Sequence, residues 1–205
     1  MNLPHDVWTL VRVPMPVAFG GLGRGVFCLV AACCVALSAA RADAVERTWS
    51  GLGDGTTWSD PGNWDPNGVP DVDDDLTVGF GDVESASSLT ADLGGRITAT
   101  GANALLNTPS LVAGSAGAGE IRVLSGATLT SETLDIGKQS GGAGSVEVSD
   151  ANLLLSSVMY VGHSGEGALT VLSGSRMDNG ACRVGFGADA NGRVEVRASD
   201  WTSAS

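Results

Sequence analysis

A chain of 205 residues with 30 glycines is sized for one domain, and the turn-rich composition favours an extended one. With 23 acidic against 11 basic side chains its net charge is −12, which argues against nucleic acid and anionic membrane surfaces as partners. Four cysteines do not make a disulfide framework here, because Cys28, Cys33 and Cys34 share one N-terminal apolar run and leave Cys182 by itself.

Residues 1–42 read as a cleaved signal peptide. Arg12 and Arg24 supply the basic region, Val26 to Leu37 the apolar core, and Ala40-Arg41-Ala42 or Ala42-Asp43-Ala44 a small-residue cleavage site. The core has twelve residues, short of the roughly 20 that a membrane helix needs. Met15 as the true start would give a leader of more ordinary length. Val30-Ala31-Ala32-Cys33 also resembles a lipobox, a rival that would keep Cys33 as a lipidated terminus, although apolar residues continue to Leu37. Either route takes the protein through export machinery, to secretion or the cell surface. Removing Arg12, Arg24, Arg41 and Asp6 with the leader leaves eight basic and 22 acidic residues, net −14, and no membrane span.

Residues 43–81 are turn chemistry, rich in Gly, Asp, Asn and Pro and punctuated by Trp49, Trp58 and Trp64. Two readings compete. In the first, the tryptophans cap the exposed apolar end and unpaired strand edges of the fold that follows. In the second, their exposed faces form a sugar-binding platform, which would make Trp49, Trp58 and Trp64 ligand contacts. Asp71, Asp73, Asp74 and Asp75 offer oxygens to a calcium ion, but consecutive aspartates point different ways and the glycine of a calcium loop is missing, which favours a solvated acidic turn. No metal and no cofactor is expected.

From Leu76 to Pro109 the alternation is irregular, through Leu76-Thr77-Val78, Leu89 to Leu93 and Arg96 to Ala99, as it is in terminal repeats, and residues 82–110 read as degenerate first rungs. Residues 111–205 then repeat one pattern four times. Val123, Val148, Val171 and Val196 are 25, 23 and 25 residues apart, each four residues after a glycine: Gly119, Gly144, Gly167 and Gly192. Turn glycines Gly114, Gly137, Gly162 and Gly185 are spaced 23, 25 and 23, so every second rung recurs after 48 residues. Alternation with period two predicts strands with one buried face. Ile121, Val146, Leu169 and Val194 form an inward column beside the four valines; Leu134, Met159 and Cys182 form another beside Ile136, Val161 and Val184. Arg122, Glu147, Thr170 and Glu195 face out. One such rung cannot bury enough surface to fold by itself, so the stack is the unit of stability and the class is an all-β solenoid. The pattern stops inside the fourth rung, as though truncated.

The Trp49 to Pro70 motif, followed by V-G...G-x-G-x-[VIL]-x-V-x-x-G rungs, resembles bacterial autotransporter passengers and the related repeat of PEP-CTERM-type sorted surface proteins. The resemblance implies a right-handed parallel β-helix displayed on the outer surface of a bacterium. Its implied role is structural or adhesive, with host or matrix glycans or other surface proteins as partners, and it carries over no catalytic residue.

Three functional classes follow. A passive surface stalk or adhesin, not an enzyme, fits the lack of convergent titratable groups. A carbohydrate-active enzyme would rest on Glu147 and Glu195, two rungs or about 9.6 Å apart, at the far end of the roughly 6.5–9.5 Å of inverting glycosidases; their shared repeat position beside Arg122 and Thr170 favours a solvated salt-bridging ladder instead. A carbohydrate-binding module would use the tryptophan loop. His163 sits in a turn with no partner histidine, serine or cysteine at useful spacing, so no metal site or triad is expected, and Cys182 reads as a buried structural thiol.

Overall fold

The computed structural model describes residues 44–203, so the stretch 1–42 expected to be a signal peptide, with its three cysteines, lies outside the described residues. Chain Glu46–Trp49 (β1) pairs antiparallel with Trp64–Asp65 (β2) and parallel with Asp75–Val78 (β3). From β3 onward the chain coils. The first rung continues through Gly81–Glu84 (β4) and Leu89–Ala91 (β5); the second is Arg96–Thr100 (β6) and Ala104–Ala113 (β7); the third is Ala118–Leu124 (β8) and Thr128–Ile136 (β9). The fourth is Ala143–Ser149 (β10), Asn152–Leu155 (β11) and Val158–Val161 (β12), and the fifth is Glu166–Leu172 (β13), Arg176–Asn179 (β14) and Ala181–Val184 (β15). Asn191–Val196 (β16) and Asp200–Ser203 (β17) begin the next. The result is a parallel β-solenoid of about five turns.

Two sheets enclose the core. The first strand of each rung builds one, in the order β16-β13-β10-β8-β6-β3-β1-β2, and the remaining strands build the other. Every column expected from residue 111 onward is in register: Ile121, Val146, Leu169 and Val194 are successive partners, as are Leu134, Met159 and Cys182. The first column also runs upstream through Ile97 to Leu76. The array therefore starts at Asp75, beside the Leu76-Thr77-Val78 alternation at which the irregular first rungs are expected to open. Alanines at Ala91, Ala99 and Ala113 stand where later rungs have larger residues, which thins the periodic signal without breaking the stack. A further inward column, Val83, Leu106, Leu129, Leu153, Met177 and Trp201, completes the filling.

The glycines of the repeat serve two physical ends. A Cβ on Gly144 would lie 2.0 Å from the Ala113 carbonyl oxygen, and one on Gly119 1.9 Å from that of Ala91, so this column is glycine because one rung crosses tightly against the corner below. Gly137 and Gly162 are instead left-handed, with φ of 66° and 70°, and turn the chain between sheets. Spacing alternates between 23 and 25 because the corners differ. Gly114 to Gly119 and Gly162 to Gly167 are five positions apart, whereas Gly137 to Gly144 and Gly185 to Gly192 are seven apart.

Cys182 departs from its expected full burial. It packs against the core but is only partly buried, because β15 is the outermost described strand of its column. Val184 on the same strand and Val196 on β16, the outermost described strand of the first sheet, are likewise 49% and 39% exposed although both occupy inward columns. Burial pushes the Cys182 thiol above its ordinary pKa, toward the unreactive protonated form. Among the described residues no helix is long and apolar enough to cross a membrane.

Two tests follow from this packing. Gly144→Ala should lower stability by about 1–3 kcal/mol through the forced clash, while Ser145→Ala beside it should stay within about 0.5 kcal/mol; thermal melts followed by circular dichroism compare them. Val148→Asp, which buries an unpaired carboxylate, should abolish the cooperative melt, and Glu147→Ser on the outer face should keep it. Equal melting temperatures for either pair would contradict the assigned faces.

Candidate functional site

The three tryptophans do not present their faces to solvent. Trp49, Trp58 and Trp64 are 1%, 7% and 2% exposed and belong to the same core as the rungs. Trp64 stands edge-on to Trp49 at 5.2 Å and to Trp58 at 4.8 Å between centroids, and its indole Nε1 donates to the Trp58 carbonyl at 2.8 Å. The surrounding loop is tied around Asn63, wholly buried, which accepts from the backbone of Gly53 and Gly55 and donates to Asp54 and the Thr57 carbonyl. Asp54 accepts from the Thr57 side chain first, then from the Thr56 and Thr57 amides and Asn63, and its carboxyl is held well below the usual range. Among the described residues, the Trp49 indole N–H is the buried polar side-chain atom left without a partner.

The acidic turn is not a solvated one at Asp74. That side chain is 3% exposed, accepting from the amides of Val45 and Asp71 and from Arg47 Nε at 3.0 Å. Burial alone would raise its pKa, but the two amides and the Arg47 guanidinium outweigh it and hold it below the ordinary value. Asp71 caps the Val72 amide. Among the described residues no group of three or more His, Cys, Asp or Glu is placed to hold a metal ion.

The outer carboxylates of the first sheet form an ionic ladder. Arg96 Nε meets Glu120 Oε2 at 2.6 Å, Arg122 bridges Glu120 Oε1 at 3.2 Å and Glu147 Oε2 at 2.8 Å, and Glu195 is held by Arg193 and Arg197. Glu147 and Glu195 are thus ion-paired to different arginines. A groove of about 520 Å³ on the other sheet is lined by Glu84, Asn107, Thr130, Glu132 and Ser156 among others, with hydroxyls and carboxylates but no cation.

Convergence occurs elsewhere, on the flanks of the corner glycines. Asp135, Tyr160 and Arg183 are consecutive partners on the outward face of β9, β12 and β15. Just beyond the corner glycines stand Lys138, His163 and Phe186, whose amides bond to the rung before: Lys138 to the Gly114 carbonyl at 3.0 Å, His163 to that of Gly137 at 3.1 Å, Phe186 to that of Gly162 at 3.1 Å. Two columns of three side chains therefore lie side by side, stepped by about 4.8 Å per rung. His163, for which no histidine, serine or cysteine partner is expected, meets a carboxylate instead: its Nδ1 is 2.6 Å from Asp135 Oδ1, and Lys138 Nζ lies 3.5 Å from Asp135 Oδ2. The His163 ring stacks on Tyr160 at 4.1 Å with an interplanar angle of 11°. Phe186 stands edge-on to both rings at 5.3 and 5.6 Å, and the Arg183 guanidinium lies 5.5 Å from the Tyr160 ring and 5.2 Å from that of Phe186. The signal was in the corner alignment: D-I-G-K, Y-V-G-H and R-V-G-F place the flanks of Gly137, Gly162 and Gly185 over one another.

Fold and panel together define a class: a parallel β-solenoid carrying an aromatic and cationic panel on one outer edge. No family model, curated protein or solved structure matches the chain.

Asp74 provides a pH test. Its folded-state pKa is depressed, so its contribution is complete above the unfolded value near 4 and is lost as pH falls through the lower folded value. Asp74→Asn should lower stability at neutral pH by about 1–3 kcal/mol and flatten the fall in melting temperature between about pH 5 and about pH 2. A variant with an unchanged acid limb would show that Asp74 does not clamp the first rung.

Proposed function

We propose that this chain is an exported cell-surface scaffold of autotransporter-passenger type, a stalk or adhesin repeat without catalysis of its own. What carries the reading is the uninterrupted parallel register from β3 to β16, a rod-like array whose rungs are alike. Such an array separates whatever it bears from its point of attachment. Two features support it. The leader at residues 1–42 has the order of an export signal, and Glu147 and Glu195, the carboxylates best spaced for hydrolysis, are each engaged by arginine.

In this reading the coil is right-handed, as parallel crossovers are. The buried tryptophans act as an N-terminal cap: β2, antiparallel to β1, ends the first sheet, and the indoles fill the apolar cross-section beneath the first rung. Their burial favours cap over sugar platform.

Expression of the gene in a diderm bacterium tests the proposal. The exported chain should begin at Asp43 or Val45 by N-terminal sequencing, and protease added to intact cells should remove it. A product retained in the cytoplasm with residues 1–42 attached would refute export. Turnover of an acidic polysaccharide that disappears with Glu147→Gln would refute the passive role.

A further inference from the structure

We propose that the leader is removed between Ala44 and Val45, and that the new Val45 ammonium becomes an ion-pair partner of the buried Asp74 carboxylate, tying β1 to the turn that opens the array. The inference rests on the export reading and deepens it, since it picks the bond that is cut and gives the cut a structural purpose.

The carboxylate comes first. Asp74 is 3% exposed, and it meets the main chain where β1 is about to begin. Its Oδ2 accepts twice, from Arg47 Nε at 3.0 Å and from the Asp71 amide at 3.0 Å. Its Oδ1 accepts once, from the Val45 main-chain nitrogen at 2.9 Å. An ionised carboxylate has about four lone-pair sites, so one is left at Oδ1. Within a peptide bond the Val45 nitrogen brings a single N–H and no charge. As a chain terminus it brings three N–H groups and a positive charge, at a separation already that of a charge-assisted contact.

The backbone comes second. The Val45 carbonyl accepts from the Asp75 amide at 3.0 Å, the Asp74 amide bonds back to the Asp71 carbonyl at 3.3 Å, and Glu46 to Thr48 then pair with Asp75 to Thr77. Ala44, one residue earlier, is exposed. The Val45 nitrogen is therefore fixed opposite Asp74 before any charge is placed on it, and no segment has to move to make the contact.

The third observation is the sequence itself. Ala42-Asp43-Ala44 puts small residues at the first and third positions before the bond, as export cleavage requires. Hydrolysis adds one water across the amide: the Ala44 carbonyl carbon takes the oxygen and departs with the leader as a carboxylate, and both water protons end on the Val45 nitrogen. Cleavage at the rival bond, after Ala42, leaves the ammonium two residues upstream on Asp43, and Asp74 keeps only a neutral N–H. Structure thus separates two sites that sequence leaves level.

Protonation gives the pair a signature. An α-ammonium that gains a carboxylate has a folded pKa above its unfolded value of about 7.7–8.0, so its contribution is complete below that value and is lost as pH rises through the folded one. The charged residues on the elements packed there are Glu46 and Arg47 on β1, Asp65 on β2, Asp71 and Asp73 in the turn, Asp75 on β3 and Arg96 on β6. Carboxylates and guanidinium groups keep their charge between about pH 7 and about pH 10, which leaves the terminus as the group that titrates.

The test uses the exported chain recovered from a diderm bacterium. Its N-terminal sequence should read Val45-Glu46-Arg47. A first residue of Asp43, or of Cys33, would overturn this proposal and leave export standing, whereas a chain held in the cytoplasm with its leader would overturn both. Ala44→Leu removes the small residue needed at the proposed bond and redirects cleavage to the bond after Ala42, giving an Asp43 terminus with no change at a buried position. At about pH 6.5 the Val45 chain should melt at least about 3 °C above the Asp43 chain, and the gap should close as pH rises to about 10. Asp74→Asn in both chains should abolish the gap. Equal melting at about pH 6.5, a gap that persists at about pH 10, or one that survives Asp74→Asn would each overturn the proposal. The comparison of the two termini leaves Asp74 intact, so it decides even if Asp74→Asn fails to fold.

Discussion

Contact between the glycine column and the corner carbonyls governs this molecule. Where Gly119, Gly144, Gly167 and Gly192 cross the preceding corner, a backbone oxygen or nitrogen occupies the space a side chain would need. That approach brings successive rungs to ladder distance, and ladder distance lets the backbone of each rung pair above and below. Inward stacking then follows, since residues of like kind meet only if the strands do not slip. Burial of the Ile121 and Val123 columns supplies the stabilisation, but the glycines choose which of the many glycine-rich alignments is the folded one.

Charge on the outside follows the same register. Because Asp75, Arg96 and Glu120 are successive partners in one column and Arg122 and Glu147 in the next, opposite charges fall within reach along and across the ladder. These pairs are partly solvated, and each contributes little by itself. Their placement matters more for specificity: a slip of one residue would exchange them with the apolar columns, turning every favourable contact into a buried charge.

What the amino-acid sequence disclosed was whatever repeats. The inward columns, the outward position of Glu147 and the alternating rung lengths were legible because a period makes each rung testify for its neighbours. The irregular opening was not. Asn63 and Asp74 are buried hubs of local hydrogen bonds, and nothing in a Gly-Asp-Asn-Pro stretch distinguishes a side chain that ties the loop together from one that faces water. The rungs that follow Leu76-Thr77-Val78 read as irregular because Ala91, Ala99 and Ala113 stand in columns where later rungs carry valine or isoleucine. The aromatic panel was missed for another reason. Attention to buried positions set aside the flanks of the corner glycines, and the meeting of His163 with Asp135 spans 28 residues that only stacking brings together.

The longer corners after Gly137 and Gly185 show where the chain tolerates editing. Two extra residues are absorbed there without shifting any strand of either sheet, so length at this edge is decoupled from the lattice behind it. Foreign sequence grafted at Ser140 or Asp189 would emerge on the same side at every second rung, a fixed interval apart. The protein is in that respect a ruler: a platform on which peptides can be mounted at spacings set by hydrogen-bonded backbone rather than by flexible linkers.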